Sequence, residues 1–450
     1  MQYEQAAVDV RRSAFVRPQL LAWVLAAVIL YAGLVAAGGE ADSQRQPDPS
    51  ERQLNERTWW FGNTWGGGTG PQAKWMQLGV NDFAISGDRI FTICLWDEHG
   101  SEAGVYTTDG DKVMCLNGWH SWGRLGGDAV ATDGEFVFLS MGHNPSDGGG
   151  EDYSGVARYT VDGKPAGWPG AKGGNPACHL AVNADKPSFG APKPEGYPPN
   201  HPHGPFIWSD RNGDGDMQAD EYLEAPAGSQ ALMMDANGDI WVNTGGWGAN
   251  EGSITRIPFA GLTKQGVPTW DTARATSIPI PADTGIQYLS KLAYDAANDR
   301  MYLGVWTKAH PFPDGGWEQM SVGPVVQRFD QWSVAPKLAW ERDVRVKDLR
   351  SEKEDRTAVA KAWAFEDEHL FIAYTRKFDQ EAVDVYRTRD GQRLGMLLPT
   401  DDIGSSTGWV DMNDAVQTHR RADGTYVIFL EEVWMEKNLY YLWKPGASER

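Results

Sequence analysis

A strand–turn–strand unit recurs along this 450-residue chain, and its repetition limits the fold more than any other feature. Each copy opens on a small or polar residue, alternates through one apolar strand, turns tightly on Gly, Asp or Asn, and continues into a more apolar strand. The unit reads D-F-A-I-S-G-D-R-I-F-T-I-C from Asp82 and D-A-V-A-T-D-G-E-F-V-F-L from Asp128. It returns as Q-A-L-M-M-D-A-N-G-D-I-W-V from Gln230, S-K-L-A-Y-D-A-A-N-D-R-M-Y-L from Ser290 and K-A-W-A-F-E-D-E-H-L-F-I-A from Lys361. The last regular copy, D-A-V-Q-T-H-R-R-A-D-G-T-Y-V-I-F, starts at Asp414, and a degraded one, C-H-L-A-V-N-A-D, starts at Cys178 with its second strand at P-F-I-W-S after a long insertion. Alternation over a few residues is strand periodicity, and D-G or N-G between two such runs is hairpin chemistry.

Third strands follow with a shared signature, a Tyr ahead of a D-G turn that launches an outer strand. Examples are G-V-Y-T-T-D-G-D-K-V from Gly104, G-V-A-R-Y-T-V-D-G-K from Gly155 and V-D-V-Y-R-T-R-D-G-Q-R-L from Val383. The starts lie roughly 46 to 71 residues apart, somewhat above the usual length of a four-stranded repeat, with the excess in loops. Units that cannot bury both faces alone, and that must hide their sheet edges, close as a β-propeller. The expected fold is therefore all-β, a β-propeller over residues 57–445 with seven blades by this count and six or eight as alternatives. The segment Arg57 to Leu78, with Trp59, Trp60, Phe61 and Trp65, supplies a closing strand for Asn438 to Trp443. The charged stretch Glu341 to Lys361 is the one extended helical candidate in this region, read as a solvated insertion.

The residues before the repeats are a different polymer. Arg11, Arg12 and Arg17 precede an uncharged apolar run from Leu20 to Ala37, followed by Glu40 and Asp42. Eighteen residues at ~1.5 Å rise span about 27 Å, close to the hydrocarbon thickness. Residues 1–39 are thus either a signal peptide, cleaved near the small residues Ala36 to Gly39, or a transmembrane anchor with the N-terminus inside. Both place the repeats on the periplasmic or extracellular side. Residues 40–56 have almost no apolar content and read as a polar linker.

The most specific chemical signal is D-R-N-G-D-G-D-M-Q-A-D-E, residues 210–221. Asp210, Asn212, Asp214, Asp216, Gln218 and Glu221 fall at positions 1, 3, 5, 7, 9 and 12 of a calcium loop of the EF-hand type. Gly215 supplies the sharp turn, and the long Glu221 carboxylate closes the shell. No helical pattern flanks it: Phe206 to Trp208 reads as strand and Pro226 follows closely. The implied cofactor is one calcium ion that clasps an irregular insertion.

Composition excludes a few classes and leaves others. A formal charge of −20 argues against a nucleic-acid partner and suits a basic protein partner or an exported protein. The 52 Gly and 21 Trp favour many short strands over long helices. Of the three cysteines, Cys94 and Cys115 sit about one hairpin apart, as a disulfide or as two buried thiols, and Cys178 stands alone. There is no G-x-S-x-G elbow, H-E-x-x-H pair or P-loop, and the glycine runs at 66–68 and 148–150 are not joined to a strand–helix unit.

On these repeats and D-G turns, the chain resembles the secreted bacterial propellers of the NHL, lactonase-like and quinoprotein-like group over roughly residues 60–445. The resemblance implies architecture first, and a ligand site at the axial end where the inner strands begin. Tryptophan docking motifs of the quinoprotein kind are present only loosely, at Trp168 and Trp340, and the vicinal cysteine pair is missing. Aligned blade starts bring Asp82, Asp128, Cys178 with His179, Gln230, Ser290, Lys361 and Asp414 to equivalent axial positions. Asp82, Asp128, His179 and Asp414 are the catalytic candidates, and the same residues equally serve as hydrogen-bonding ties between blades.

Two further sets are weaker. His201 and His203 lie one residue apart on a loop, where zinc or copper would need a third ligand such as His143 or His179. His120, with Trp119, Trp122 and Arg124, lines an approach loop. Three functions follow. The first is a non-catalytic, calcium-binding subunit that binds a protein or stabilises a membrane-associated complex. The second is a lactonase or hydrolase with a divalent ion on the axis, and the third a quinoprotein-type oxidoreductase. A small molecule on the axis is compatible with any of them.

Overall fold

Hairpin follows hairpin along the chain, so that strands adjacent in sequence are adjacent in space. The computed structural model describes residues 52–56, 58–61, 80–86, 89–94, 103–107, 112–116, 130–132, 136–142, 154–160, 178–181, 206–209, 211–212, 218–225, 232–244, 252–264, 267–312, 321–347, 357–358, 360–377, 380–400, 416–431, 438–446 and 449. Residues Pro49–Arg450 form one compact unit, and Met1–Asp48, with the apolar run 20–37, lie outside the described residues. Among the described residues no helix is long and apolar enough to cross a membrane.

Strand β1 (Thr58–Phe61) stands apart from its sequence neighbours. The first sheet is β2–β5 (Val80–Ser86, Arg89–Cys94, Ala103–Thr107, Lys112–Leu116), in the order β2-β3-β4-β5. The second has six strands, β6–β11 (Val130–Thr132, Phe136–Gly142, Ser154–Thr160, Cys178–Ala181, Phe206–Ser209, Tyr222–Glu224), again in chain order. The third joins β12 (Leu232–Met234), β13 (Ile240–Thr244), β14 (Ser253–Ile257) and β17 (Thr276–Pro279). A separate hairpin of β15 (Phe259–Leu262) and β16 (Pro268–Trp270) is inserted in it.

The fourth sheet is β18–β21 (Ile286–Asp295, Arg300–Thr307, Val325–Asp330, Lys337–Asp343), followed by a small pair, β22 (Val346–Lys347) and β23 (Thr357–Ala358). The fifth is β24–β27 (Ala362–Glu366, His369–Lys377, Gln380–Arg387, Gln392–Leu397). The last contains β28 (Val416–Arg420), β29 (Tyr426–Glu431) and β30 (Asn438–Trp443), with β1 as its fourth strand.

Turn chemistry explains the hairpins. The link between the first and second strands of a sheet carries one left-handed residue: Gly238 in the third, Asp299 in the fourth, Asp367 in the fifth and Gly424 in the last. Gly238 is required there, since φ is +81° and a side chain would press on the Phe259 ring. The D-G turn that the sequence places before an outer strand is seen between β26 and β27, where Gly391 has φ +67°.

Sheets pack face to face in chain order. Trp241, Ile254, Leu292, Met301 and Phe329 fill the space between the third and fourth sheets. Tyr302, Val326, Trp340, Trp363 and Ile372 fill that between the fourth and fifth, and Phe371, Val383, Val416, Ile428 and Tyr441 that between the fifth and the last. Ile207 and Trp270 share a cluster linking the second and third sheets. Strand β2 contacts β28 and β29 on one side and β6 on the other, which returns the order to its start. A cycle of small antiparallel sheets, each packed on the next, is β-propeller architecture. Burial follows radius: β18, at the inner edge of its sheet, is largely buried, whereas outer β21 is exposed at every position except Trp340.

The closing strand lies where the sequence places it, with Thr58 opposite Tyr441 and Phe61 opposite Asn438. The cycle is further tied by residues 52–55, inside the stretch that composition reads as a linker. Met396 N donates to Arg52 O (2.9 Å), and Leu54 N to Met396 O (2.8 Å). The Asn55 side chain donates to Leu398 O and accepts from Leu398 N, both at 2.9 Å. Gly395 lets this segment approach, because a Cβ there would lie 2.4 Å from Arg52 O.

Two expectations are corrected. Cys178–Ala181 does not begin a sheet of its own: it pairs with β8 on one side and β10 on the other, and the described residues form six sheets of four or more strands. The degraded copy extends its predecessor because no second inner edge intervenes. In the helical candidate 341–361, residues 341–343 end β21 instead, and 346–347 pair with 357–358 as β22 and β23, with Val344, Val346 and Ala358 buried; residues 348–356 and 359 lie outside the described residues. Cys94 and Cys115 lie on β3 and β5, with β4 between them. Two strand spacings are roughly 9–10 Å, beyond the ~7 Å that a disulfide bridges.

Candidate functional site

The first strands β12, β18, β24 and β28 are each an edge of their sheet, and β12 contacts β18 as β24 contacts β28. Where these inner edges converge they leave a cavity of about 410 Å³. Met233 of β12, Lys291 to Asp295 of β18, Trp363 to Phe365 of β24 and Gln417 of β28 line it. Ala297, Asn298 and Asp367 sit at its mouth on the hairpin tips. It is the axial cavity of the propeller.

Its walls are aromatic. Tyr302 and Phe365 lie 4.4 Å apart between ring centroids, and Trp363 meets Phe365 edge-on at 5.0 Å. Tyr302 and Trp363 are buried, whereas Phe365 and Tyr294 are half-buried. Tyr294 packs on Trp241 at 4.1 Å and donates its hydroxyl to Asp299 (2.9 Å), which also accepts from Ser333 N and Oγ. Burial, with Asp299 beside it, pushes the Tyr294 hydroxyl well above the usual tyrosine range.

The mouth carries charge. Asp295 accepts from Asn298 through both its backbone N and its side-chain Nδ2, and has Arg300 3.9 Å away. Asp367 accepts from Arg420 Nη1 at 2.6 Å through Oδ2. Glu366, one residue before Asp367, is pushed up to about 7 by burial and then by the Asp367 charge. Lys291 is 4% exposed and has a partner of its own.

The cavity opens at the ends of the inner strands, not at their beginnings, where the resemblance puts a ligand. Of the aligned axial residues, Ser290 is fully buried and its Oγ accepts from Trp306 Nε1 (3.1 Å), a tie within its own sheet. Lys361 is half-buried, and its backbone N donates to Ala373 O. Asp82 lies on β2 opposite Ile93. His179 does not share that position: on β9 it pairs with Gly155 and Trp208, fourth strand from the inner edge. The side chains of Asp82 and His179, and all of Asp128, Gln230, Asp414, His120, His143, His201 and His203, lie outside the described residues. The cavity's one signal in the sequence, which the repeat pattern alone does not single out, is an aromatic–acid pair closing the first strand, Tyr294-Asp295 and Phe365-Glu366.

The loop 210–221 is described at Arg211, Asn212 and from Gln218 onward; Asp210, Asp214 and Asp216 lie outside. Glu221 ends the loop in a short 3-10 turn, 2% exposed, directly before β11. Its Oε1 accepts from Arg211 N (2.8 Å) and Asn212 N (3.4 Å), and its Oε2 from Gln218 N (3.3 Å). Asn212 Nδ2 donates to Gln218 Oε1 at 3.4 Å. Asn212, Gln218 and Glu221, at positions 3, 9 and 12, are thus linked by hydrogen bonds among themselves. Burial, and then the Glu221 charge, pushes the Tyr222 hydroxyl up to about 12. Among the described residues no three His, Cys, Asp or Glu side chains group as a metal site.

No protein-family model matches the chain, and no curated protein matches it. Solved structures that resemble it include the Neurospora crassa Pan2 WD40 domain (9% identity, 88% of this chain and 98% of that one, TM-score 0.41). Others are a putative 6-phosphogluconolactonase from Bacteroides fragilis (10%, 79% and 100%, 0.36) and YCF48 bound to D1 peptide (8%, 88% and 96%, 0.42). These likenesses are distant, and the architecture rests on the strand order above.

Proposed function

We propose that this chain is an extracytoplasmic, calcium-ordered β-propeller that binds a protein partner as a non-catalytic subunit of a membrane-associated complex. In this reading the ring has six blades, the second extended by the strands around the calcium loop. Residues 20–37 hold or export the chain, and the calcium ion sits among Asp210, Asn212, Asp214, Asp216, Gln218 and Glu221. The observation that carries the reading is the use made of the inner rim. Ser290, one of the aligned axial residues, is spent on an indole hydrogen bond. The open part of the axis is instead lined by large aromatic side chains. Partner binding asks for a stiff frame, and the stitched closure supplies one.

Isolation of the full chain from detergent-solubilised native membranes tests this, with a stoichiometric protein partner as the expected result. A chain that runs alone and hydrolyses a lactone in a metal-dependent way, with Asp128→Asn abolishing turnover, would establish the axial-enzyme reading in its place. Calorimetric titration with calcium tests the clasp separately: one site is expected in the wild type and none in Glu221→Ala.

A further inference from the structure

The axial cavity has a chemical character that narrows what enters it. A volume of about 410 Å³ lies within the usual range of ligand sites and exceeds that of a single side chain. The half-buried ring of Phe365 from β24 lines it, backed by the buried Tyr302 and Trp363, and Tyr294 from β18, packed on Trp241, borders it separately. Aromatic faces attract a cation, and guanidinium is the cation that also stacks flat on them.

The mouth adds carboxylates. The two hairpins that frame it, with the neighbouring β28, carry Asp295, Asp299, Glu366, Asp367 and Glu368 against Arg300 and Arg420. Asp299 is committed to Tyr294 and Ser333. Asp295 and Asp367 line the cavity itself, and Asp367 meets Arg420 through one oxygen, Oδ2. A carboxylate accepts at about four lone-pair sites, so one neighbour does not saturate it. A near-neutral Glu366 beside them would ionise as a positive charge arrives, which strengthens the mouth for a cation. The formal charge of −20 draws a basic partner from a distance.

Lys291, also on the lining, is 4% exposed and has a partner of its own. A head group resting on Phe365 lies near the mouth carboxylates, and a forked planar donor uses ring and carboxylate better than a compact ammonium. We propose that the axial cavity receives an arginine side chain from the partner protein, stacked on Phe365 and paired with Asp367 and Asp295. This rests on the partner-binding reading above and names the chemistry of the contact.

Calorimetry on the full chain tests it with two blocked pentapeptides, Gly-Gly-Arg-Gly-Gly and its counterpart with neutral citrulline in place of arginine. Loss of the charge-assisted pairing is expected to weaken the citrulline peptide by about tenfold or more. Asp367→Asn and Phe365→Leu should each weaken the arginine peptide by a similar factor, with thermal unfolding recorded on both variants to show that they fold. Absence of arginine-peptide binding at millimolar concentration, or equal binding of the two peptides, overturns the proposal. So does indifference to both substitutions in variants that fold. A partner recovered from membranes whose affinity is unchanged by Asp367→Asn and Phe365→Leu would keep the partner reading and end the cavity proposal. Arginine-peptide binding by a chain with no recoverable partner would do the reverse.

Discussion

The closing seam and the loop 206–225 solve the same problem by different means. At the seam, segments far apart in the chain are joined by many modest contacts. The β1–β30 ladder, the bridge of residues 52–55 to β27 and the paired Asn55–Leu398 bonds share the load, over the common core of the fifth and last sheets. At the loop, one buried carboxylate gathers three backbone amides within a stretch of twelve residues. Distributed closure tolerates loss of a part, whereas a clasp built on one residue fails with that residue. Breaking each in turn should show this contrast.

The largest effect is expected from a chain that lacks residues 52–61. It removes a whole strand and exposes the edge of β30, so cooperative unfolding should give way to a broad transition at a midpoint at least ~10 °C lower, followed by circular dichroism. Next comes Glu221→Ala, which strands three amides and removes a ligand of the proposed calcium ion. A loss of about 2–4 kcal/mol in calcium, measured by denaturant unfolding, should shrink to about 1–2 kcal/mol in chelator. Equal losses under both conditions would remove calcium from the account. Asn55→Ala breaks two hydrogen bonds within an otherwise intact seam, and about 1–3 kcal/mol is expected by the same measurement, with no dependence on calcium.

The smallest effect is one that the wild type hides. Glu366 and His369 oppose each other across the β24–β25 hairpin. Burial lowers His369 to about 4, while its ring contacts Tyr426 OH and Glu449 O at 2.9 Å, and burial raises Glu366 to about 7. Between about pH 4.5 and 6.5 the folded chain carries a proton on Glu366 that the unfolded chain lacks. The unfolded chain carries one on His369 that the folded chain lacks, and the two effects cancel. Stability from this pair is flat in that window. It falls as pH drops from about 4.5 to 4 and as pH rises from about 6.5 to 7. Glu366→Gln should expose a loss of stability that starts as pH falls below about 6.5, and His369→Gln a loss that starts as pH rises above about 4.5. Identical pH profiles for the wild type and both variants would contradict the buried, oppositely shifted pair.

What the sequence makes legible follows from how local each contact is. The hairpins after Met234, Tyr294 and Phe365 are written in their turns, and Trp59 and Trp60 point to the seam because a lone apolar strand needs a partner. Residues 52–55 are not legible as structure: Arg52, Gln53 and Asn55 look like linker, and only Gly395, some 340 residues away, admits them. Cys178 misleads because a strand that extends a sheet and one that begins a sheet share the same periodicity. In the site, the loop's spacing already marks Glu221. The cavity is harder to see, since Tyr294, Phe365 and Gln417 come from three different strands and meet only once the inner edges converge.

Hydrogen exchange of the full chain, with calcium and then with chelator, tests the central contrast most directly. Chelation is predicted to release the amides of Arg211, Asn212, Gln218 and strands β10 and β11, while β28–β30 and residues 52–55 keep their protection. Exchange that is unchanged at Glu221 and its neighbours, or that rises equally at the seam, would contradict a propeller closed by its own ends and clasped locally by calcium.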